Sequence, residues 1–201
     1  MDVLVPFDAT EPKSRLSPLF DSAERRDLAE AMLEDVLSAL MAAEAEPTVL
    51  TTAPVETSAP VEIDDRPLTP AINDRLGGDP TAVVVADLPL LTATAVERLL
   101  TSEGDVVLAP GLGGGTNALV VRTPAFRADY HGASIRDHRD HAREAGVEPV
   151  ILDSFRLAVD IDEPADLAEA LLHSSGRTRD WLLDAGVELT VSDGRVDVHR
   201  T

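Results

Sequence analysis

Apolar residues are distributed along this chain in two alternating patterns. Short runs rich in Val, Leu and Ile are typical of strands buried in a sheet, and they occupy residues 3–5, 48–51, 82–85, 106–108, 118–121, 149–152 and 157–161. Helical periodicity separates these runs, at residues 93–100, 134–145 and 164–172 and after residue 22. The alternation predicts an α/β domain with a mostly parallel central sheet flanked by helices.

The clearest predicted helix begins near Ser22, which we expect to be its N-cap. An apolar residue then follows at every fourth position: Leu28, Met32, Val36 and Leu40. Residues four apart lie on one side of a helix, so these side chains predict an apolar stripe that packs on the sheet.

The length of 201 residues suits one domain, so residues 1–201 are predicted to form a single unit. Residues 176–201 are predicted as a C-terminal extension, a short helix followed by a possible hairpin. The hairpin would pair residues 187–191 with residues 195–199 around Ser192-Asp193-Gly194, because Asp-Gly is a common hairpin turn. We expect this extension to be an edge of the domain or a homodimer contact.

Composition and charge limit the classes of partner. The chain has 37 acidic and 17 basic residues, which leaves no basic stripe for nucleic acid, and its spread of acids is typical of a protein from a salt-rich cytoplasm. The sequence has no run of about 18 apolar residues, and its first residues do not have the pattern of a signal peptide. We therefore expect a cytoplasmic protein without a membrane partner. Without cysteines, any metal must have oxygen or imidazole ligands. Residues 53–67 are predicted to be an exposed excursion.

A glycine-rich segment follows the strand predicted at residues 106–108. It contains Gly113, Gly114, Gly115, Thr116 and Asn117. Because glycine adopts positive φ at little cost, successive backbone N–H groups can converge on an anion, and the two polar side chains can bind its oxygens. The segment predicts a phosphate site, and a mobile surface turn is the alternative that the glycines also allow.

Lys13 and Arg15 follow the first predicted strand, at the end of the sheet where open α/β domains bind ligands. Lys13 is the only lysine of the chain. A compact ammonium and a forked guanidinium suit a triphosphate and the charge that builds on departing pyrophosphate. An ordinary exposed pair after a turn is the alternative. The chain lacks the Gly-x-x-x-x-Gly-Lys-Ser/Thr sequence of P-loop nucleotidases.

Three carboxylates predict a cation site. Asp87 lies just beyond the strand of residues 82–85, and Asp160 and Asp162 lie two apart near the strand predicted at 157–161, so they face one side. Mg²⁺ prefers a few carboxylates together with substrate phosphates. Alternatively, Asp87 caps its turn, and Asp162 or the residue after it caps the next helix.

Ser134 is predicted to be the N-cap of the helix at residues 134–145, and such a helix start binds anions through its free N–H groups. His138 and His141 share one side of that helix. Their acidic and basic neighbours predict a solvated surface there, and zinc would need further ligands that the sequence does not supply.

Taken in order, these motifs resemble the 2-phospho-L-lactate guanylyltransferase family of coenzyme F(420) biosynthesis. The resemblance covers about residues 1–173 and rests on five segments: residues 6–17, Asp87-Leu88-Pro89-Leu90-Leu91, residues 109–119, residues 130–134 and Val159-Asp160-Ile161-Asp162. The Gly-Gly-Gly-Thr-Asn-Ala-Leu run is its most specific part. Asp-Leu-Pro-Leu is shared with many nucleotidyltransferases.

The resemblance implies a Rossmann-like nucleotide-diphospho-sugar transferase fold of the GT-A type. It also implies that GTP and 2-phospho-L-lactate are the substrates. By resemblance, Thr116, His131 and Ser134 would contact the phosphorylated acid, and Asp87, Asp160 and Asp162 would hold Mg²⁺. A related nucleotidyltransferase with phosphoenolpyruvate or another phosphorylated acceptor is one alternative, and a non-catalytic nucleotide-binding module is another.

Overall fold

A seven-stranded sheet forms the centre of the computed structural model, which describes residues 1–192 and 194–200. The strands lie in the order β3-β2-β1-β4-β6-β5-β7. Their bounds are β1 Asp2–Phe7, β2 Pro47–Thr51, β3 Val61–Ile63, β4 Thr81–Val84, β5 Val106–Pro110, β6 Thr116–Val121 and β7 Val150–Ile151. All pairings are parallel except those of β6 with β4 and β5, which confirms the mostly parallel sheet.

Helices cover both faces of this sheet. They are α1 Ser22–Ala42, α2 Leu68–Asn73, α3 Ala93–Thr101, α4 Ser134–Glu144, α5 Phe155–Ala158, α6 Leu167–His173 and α7 Arg177–Asp184. Alternate strand residues divide the core: Val3 and Val5 join one apolar cluster with α1, α3 and α6, and Leu4 joins another with α2 and α4. The predicted stripe of α1 is fully buried. No described helix is long and apolar enough to cross a membrane.

The sequence predicted Ser22 as the N-cap of α1, but the N-cap is Asp21. The Asp21 carboxylate accepts from the backbone N–H groups of Ala23 and Glu24, at 2.9 and 3.0 Å. Glu24 in turn accepts from the Asp21 amide at 2.9 Å. This reciprocal capping box satisfies more backbone donors than a serine alone would.

Residues 157–161 do not form the predicted strand. The short helix α5 ends at Ala158, and an extended segment follows in which the Ile161 amide donates to the Asp87 carbonyl at 3.1 Å. The apolar run is buried under the sheet rather than paired within it, and sequence periodicity does not distinguish these cases. Residues 53–67, which were predicted to be an exposed excursion, contain the exposed strand β3. This strand pairs with β2 and extends the sheet at its edge.

After Gly176 the chain forms α7 and a separate hairpin of β8 Val187–Ser192 and β9 Arg195–Arg200. Asp193, which the sequence analysis assigned to the turn, lies outside the described residues. The Asp35 carboxylate of α1 accepts from the Arg177 and Thr178 amides at 2.7 and 2.9 Å and so anchors the start of α7. Trp181 of α7 packs edge-on against Phe20, with 5.2 Å between ring centroids.

Candidate active site

A crevice of about 560 Å³ opens at the carboxyl ends of β1, β2 and β4. From β1 the chain passes through α1 to β2, which lies on one side of β1 in the sheet. Strand β4 lies on the other side of β1, so the crevice is at the point where the strand order reverses. Open α/β sheets bind ligands at such a point. Lys13 and Asp87 lie at this crevice, and its wall also includes Phe7, Thr51, Thr52, Asp64, Arg66 and Leu68.

Lys13 is held between two carboxylates. Its Nζ lies 2.5 Å from Asp87 Oδ2 and 2.8 Å from Asp162 Oδ1, and its side chain is only 10% exposed. The backbone there is left-handed, with φ 54°, and a short 3-10 turn, Ser14–Leu16, follows at once. A non-glycine residue rarely adopts this conformation, so the two ion pairs coincide with a strained turn at the end of β1.

Asp160 completes a group of three carboxylates. Asp87, Asp160 and Asp162 each offer an oxygen within 4.8 Å of the others. The Asn117 amide positions Asp160, because its Nδ2 donates to Asp160 Oδ1 and to the Leu157 carbonyl, both at 3.0 Å. The N-cap of the 3-10 turn Pro164–Asp166 is Glu163 and not Asp162. Asp166 accepts from the Asp162 amide at 2.9 Å, and the Asp162 carboxylate accepts from Lys13.

The pKa values of these groups reflect burial and mutual charge. Burial raises the pKa of Asp160 above its ordinary value, and the bond from Asn117 only partly opposes this. Burial also acts to raise the pKa of Asp162, but Lys13 outweighs it and leaves the pKa lowered. Burial would lower the pKa of Lys13, yet Asp87 and Asp162 outweigh it and raise that pKa. Lys13 therefore stays charged between the two carboxylates.

The donor set fits a divalent cation. Oδ1 of Asp87 is buried and accepts no hydrogen bond from any described residue. An unsatisfied carboxylate oxygen beside two further carboxylates favours a hard cation with oxygen ligands. Asp87, Asp160 and Asp162 are therefore the residues that would hold one.

A β-bulge at the start of β6 separates the roles of Thr116 and Asn117. Ala118 pairs with Ala109, but Thr116 pairs with Pro110, so Asn117 is an extra residue in the ladder. The bulge directs the Asn117 side chain to Asp160 and the Thr116 side chain to α4 on the opposite face. Bulges commonly re-aim side chains beside functional sites.

Thr116, Ser134 and His138 form a buried polar cluster between β6 and α4. Ser134 is the first residue of α4 and not its N-cap, which is Ala133; the Ser134 Oγ accepts from the Thr116 amide at 2.9 Å. The predicted solvated face is wrong for His138, which is fully buried. The spacing of four residues from Ser134 was the available signal, because it places both on one side of α4.

The glycine segment is the turn between the antiparallel strands β5 and β6. Two of its amides are already bonded within the turn. The Gly111 amide donates to the Gly115 carbonyl and the Gly114 amide donates to the Gly111 carbonyl, at 3.0 and 3.1 Å. Gly114 has φ +85°, which explains a glycine there. Among the described residues, no acceptor takes the amides of Gly113 and Gly115, which are the ones left for a ligand.

Arg15 and His131 lie at the periphery. Arg15 is 66% exposed and its Nη1 reaches Asp162 Oδ2 at 3.4 Å. His131 is 78% exposed and pairs with Asp129, which raises its pKa. The structure thus brings together Lys13, Arg15, Asn117 and the three aspartates, with Thr116 and Ser134 next to them through β6, but it gives His131 no contact with them.

The match to a known protein family extends over the whole chain. Residues 1–201 match the family model described as "Guanylyl transferase CofC like". The chain belongs to this family. Proteins named 2-phospho-L-lactate guanylyltransferase are similar to it over all of its length: one from Halomicrobium mukohataei is 59% identical over 202 residues, and one from Natronomonas pharaonis is 58% identical over 200 residues. The chain covers 100% and 99% of those two proteins.

Solved structures confirm the fold of this CofC-like guanylyltransferase family member. A nucleotide-diphospho-sugar transferase structure from Desulfovibrio desulfuricans has a TM-score of 0.67 at 17% identity, covering 91% of this chain and 94% of that one. A nucleotidyl transferase from Methanothermobacter has a TM-score of 0.50 at 18% identity, covering 92% and 98%. The nucleotide-diphospho-sugar transferase fold that the family resemblance implied is therefore confirmed.

Proposed function

We propose that this chain joins GTP and 2-phospho-L-lactate to give lactyl-2-diphospho-5′-guanosine and pyrophosphate in coenzyme F(420) biosynthesis. The observation that carries the proposal is the position of Lys13 with the three carboxylates at the mouth of the crevice. The family and the names of its relatives support the choice of substrates.

The crevice is proposed to hold GTP, with its phosphates toward Lys13 and Arg15. A phosphate oxygen of the acceptor attacks the α-phosphorus, the new P–O bond forms, and the bond to the β-phosphate bridging oxygen breaks with release of pyrophosphate. Lys13 and Arg15 stabilise the charge on that leaving group. An ionised phosphate is already a nucleophile, so the protein mainly positions two anions and needs no general base.

Mg²⁺ is the proposed cofactor, held by Asp87, Asp160 and Asp162. Bound there, it would offset the charge of the substrate phosphates. Asn117 keeps Asp160 turned toward the site through the bond between Nδ2 and Oδ1. Gly113, Gly115, Thr116 and Ser134 are proposed to bind the acceptor, and His131 to approach it from the loop before α4.

Pyrophosphate release tests the proposal directly. The protein is incubated in molar KCl with MgCl₂, each NTP in turn and either 2-phospho-L-lactate or phosphoenolpyruvate. We expect release to be fastest with GTP and 2-phospho-L-lactate. Faster release with phosphoenolpyruvate would change the acceptor, and no release with any pair would support a nucleotide-binding module without catalysis.

Asp160→Asn is predicted to abolish most turnover while the protein stays folded. The substitution removes one carboxylate charge from the cation site but keeps the shape of the side chain. Asp140→Asn is the matched control, because Asp140 is exposed on α4 and, among the residues that the structure describes, its carboxylate bonds only to Arg143, at 3.4 Å. Turnover and circular dichroism are compared for both variants. A rate equal to wild type in Asp160→Asn would refute the cation site.

A further inference from the structure

The buried imidazole of His138 has a partner on each ring nitrogen. The backbone N–H of Asp129 donates to Nε2 at 2.9 Å. Nδ1 lies 2.8 Å from the hydroxyl oxygen of Thr116. Phe126 and Tyr130 flank the ring, with centroids 5.8 and 5.0 Å away. The imidazole is therefore fixed in orientation and removed from water.

These contacts determine which nitrogen carries the proton. A backbone amide can only donate, so Nε2 must accept and the neutral ring must carry its proton on Nδ1. Burial holds the pKa of His138 at about 4, with a smaller effect of His141, so the ring is neutral near pH 7. Nδ1–H then donates to Thr116 Oγ1, and no other described group competes for that proton.

The hydroxyl of Thr116 is consequently left with one role. Its oxygen accepts from His138 and, more weakly, from Ser134 Oγ at 3.4 Å. With both lone pairs used, Thr116 can act toward a third group only by donating its own proton. Among the described residues, no acceptor takes that proton, and the neighbouring Asn117 contacts the carboxylate group of the site.

We propose that His138 is a positioning residue for the acceptor: by donating to Thr116 it orients the Thr116 hydroxyl as a hydrogen-bond donor to an anionic oxygen of the phosphorylated acid. This inference rests on the proposed function, because it needs an anionic acceptor beside Thr116. A hydroxyl fixed as a donor also discriminates against a ligand that presents a donor at the same place.

Steady-state kinetics of His138 variants test the role. His138→Leu fills the space without a donor, and we expect it to raise the KM for 2-phospho-L-lactate about tenfold or more while the KM for GTP changes little. His138→Asn can return a donor near the position of Nδ1 and is expected to recover most of that loss. His138→Gln places its amide nearer the position of Nε2 and is expected to recover little. His141→Leu on the same helix is the control.

A double-mutant cycle separates positioning from general packing. If His138 acts through Thr116, then His138→Leu adds no further rise in acceptor KM in a Thr116→Val background. Equal effects in both backgrounds, or a fall in kcat with unchanged KM values, would overturn the inference. If His138→Leu does not fold, the comparison of His138→Asn with His138→Gln carries the test.

Nitrogen NMR of the histidines tests the tautomer without any assay of turnover. We expect His138 to be neutral and protonated on Nδ1 at pH 7. A ring protonated on Nε2, or a charged ring, would overturn the inference even in an active enzyme. Conversely, His138 could show the expected tautomer in a protein that releases no pyrophosphate with any phosphorylated acid. That result would refute the proposed function, and with it the role of His138 in positioning Thr116 toward the acid.

Discussion

Lys13 stands at the centre of the site. It combines three unusual properties: it is the only lysine, its backbone is left-handed, and its ammonium is shared by two carboxylates. Removal of one member of a buried ion pair is costly because it leaves the other charges unpaired. The partial exposure of Asp87 and Asp162 reduces that cost here.

Lys13→Met is therefore predicted to lose turnover and to lower the free energy of unfolding by about 1–3 kcal/mol. The physical cause is repulsion among three carboxylates that no longer face an ammonium. Denaturant unfolding at constant KCl measures the loss. Millimolar MgCl₂ should raise the Tm of the variant more than that of wild type, since a cation can replace the lost charge. A variant as stable as wild type, with or without MgCl₂, would contradict this account.

The sequence predicted the charged residues of the site better than its neutral ones. Asp87, Asp160 and Asp162 could be grouped because each lies at or beside a buried apolar run and because Asp160 and Asp162 are two residues apart, although the run at 157–161 is an extended segment and not a strand. His138 was wrongly assigned to a solvated surface, because its acidic and basic neighbours on α4 outweighed the one available signal, its spacing of four residues from Ser134. Nor does the sequence indicate that Asp64 and Arg66 line the crevice.

At the scale of elements, the β5–β6 hairpin connects the three carboxylates of the proposed cation site to the buried polar cluster of Thr116, Ser134 and His138. Its bulge sends Asn117 to one face and Thr116 to the other. The strands themselves were predictable from their apolar runs. The antiparallel pairing of β6 was not predicted, although the turn at residues 111–115 is too short for the crossover that parallel neighbours need. The bulge adds one residue that strict alternation would misplace.

Gly111→Ala is predicted to damage both faces through this hairpin. A Cβ at Gly111 would lie 2.5 Å from Asn117 Oδ1, so Asn117 must move away from Asp160. We expect a strong loss of turnover and a loss of about 1–3 kcal/mol in the free energy of unfolding. Gly78→Ala is the matched control, since nothing lies within 4 Å of a Cβ there. An active, fully stable Gly111→Ala protein would show that the position of Asn117 is unimportant.

At the scale of the whole molecule, the chain has a formal net charge of −20, whereas its site is proposed to bind two anions. The Debye length is about 3 Å in molar salt and about 30 Å in dilute buffer, so salt screens both the self-repulsion of the surface and its repulsion of substrates. The relatives from Halomicrobium and Natronomonas suit the proposal of a salt-adapted protein.

The Tm is accordingly predicted to rise steeply from dilute buffer to molar KCl. Screening removes unfavourable repulsion that the compact state suffers more than the unfolded chain. Betaine at equal osmolality is the control, because it is uncharged overall and does not shorten the Debye length. The same Tm in dilute buffer and in molar KCl would refute salt adaptation.

The packing of Trp181 on Phe20 gives the molecule an intrinsic optical probe. Trp181 is the only tryptophan of the chain. Phe20 continues the turn of Lys13, because its amide donates to the Leu16 carbonyl and the Leu16 amide donates to the Lys13 carbonyl, at 3.0 and 2.9 Å. The single indole therefore packs against the segment that carries Lys13. We expect its emission to change when the proposed nucleotide binds at Lys13, which would allow binding to be followed without any attached dye.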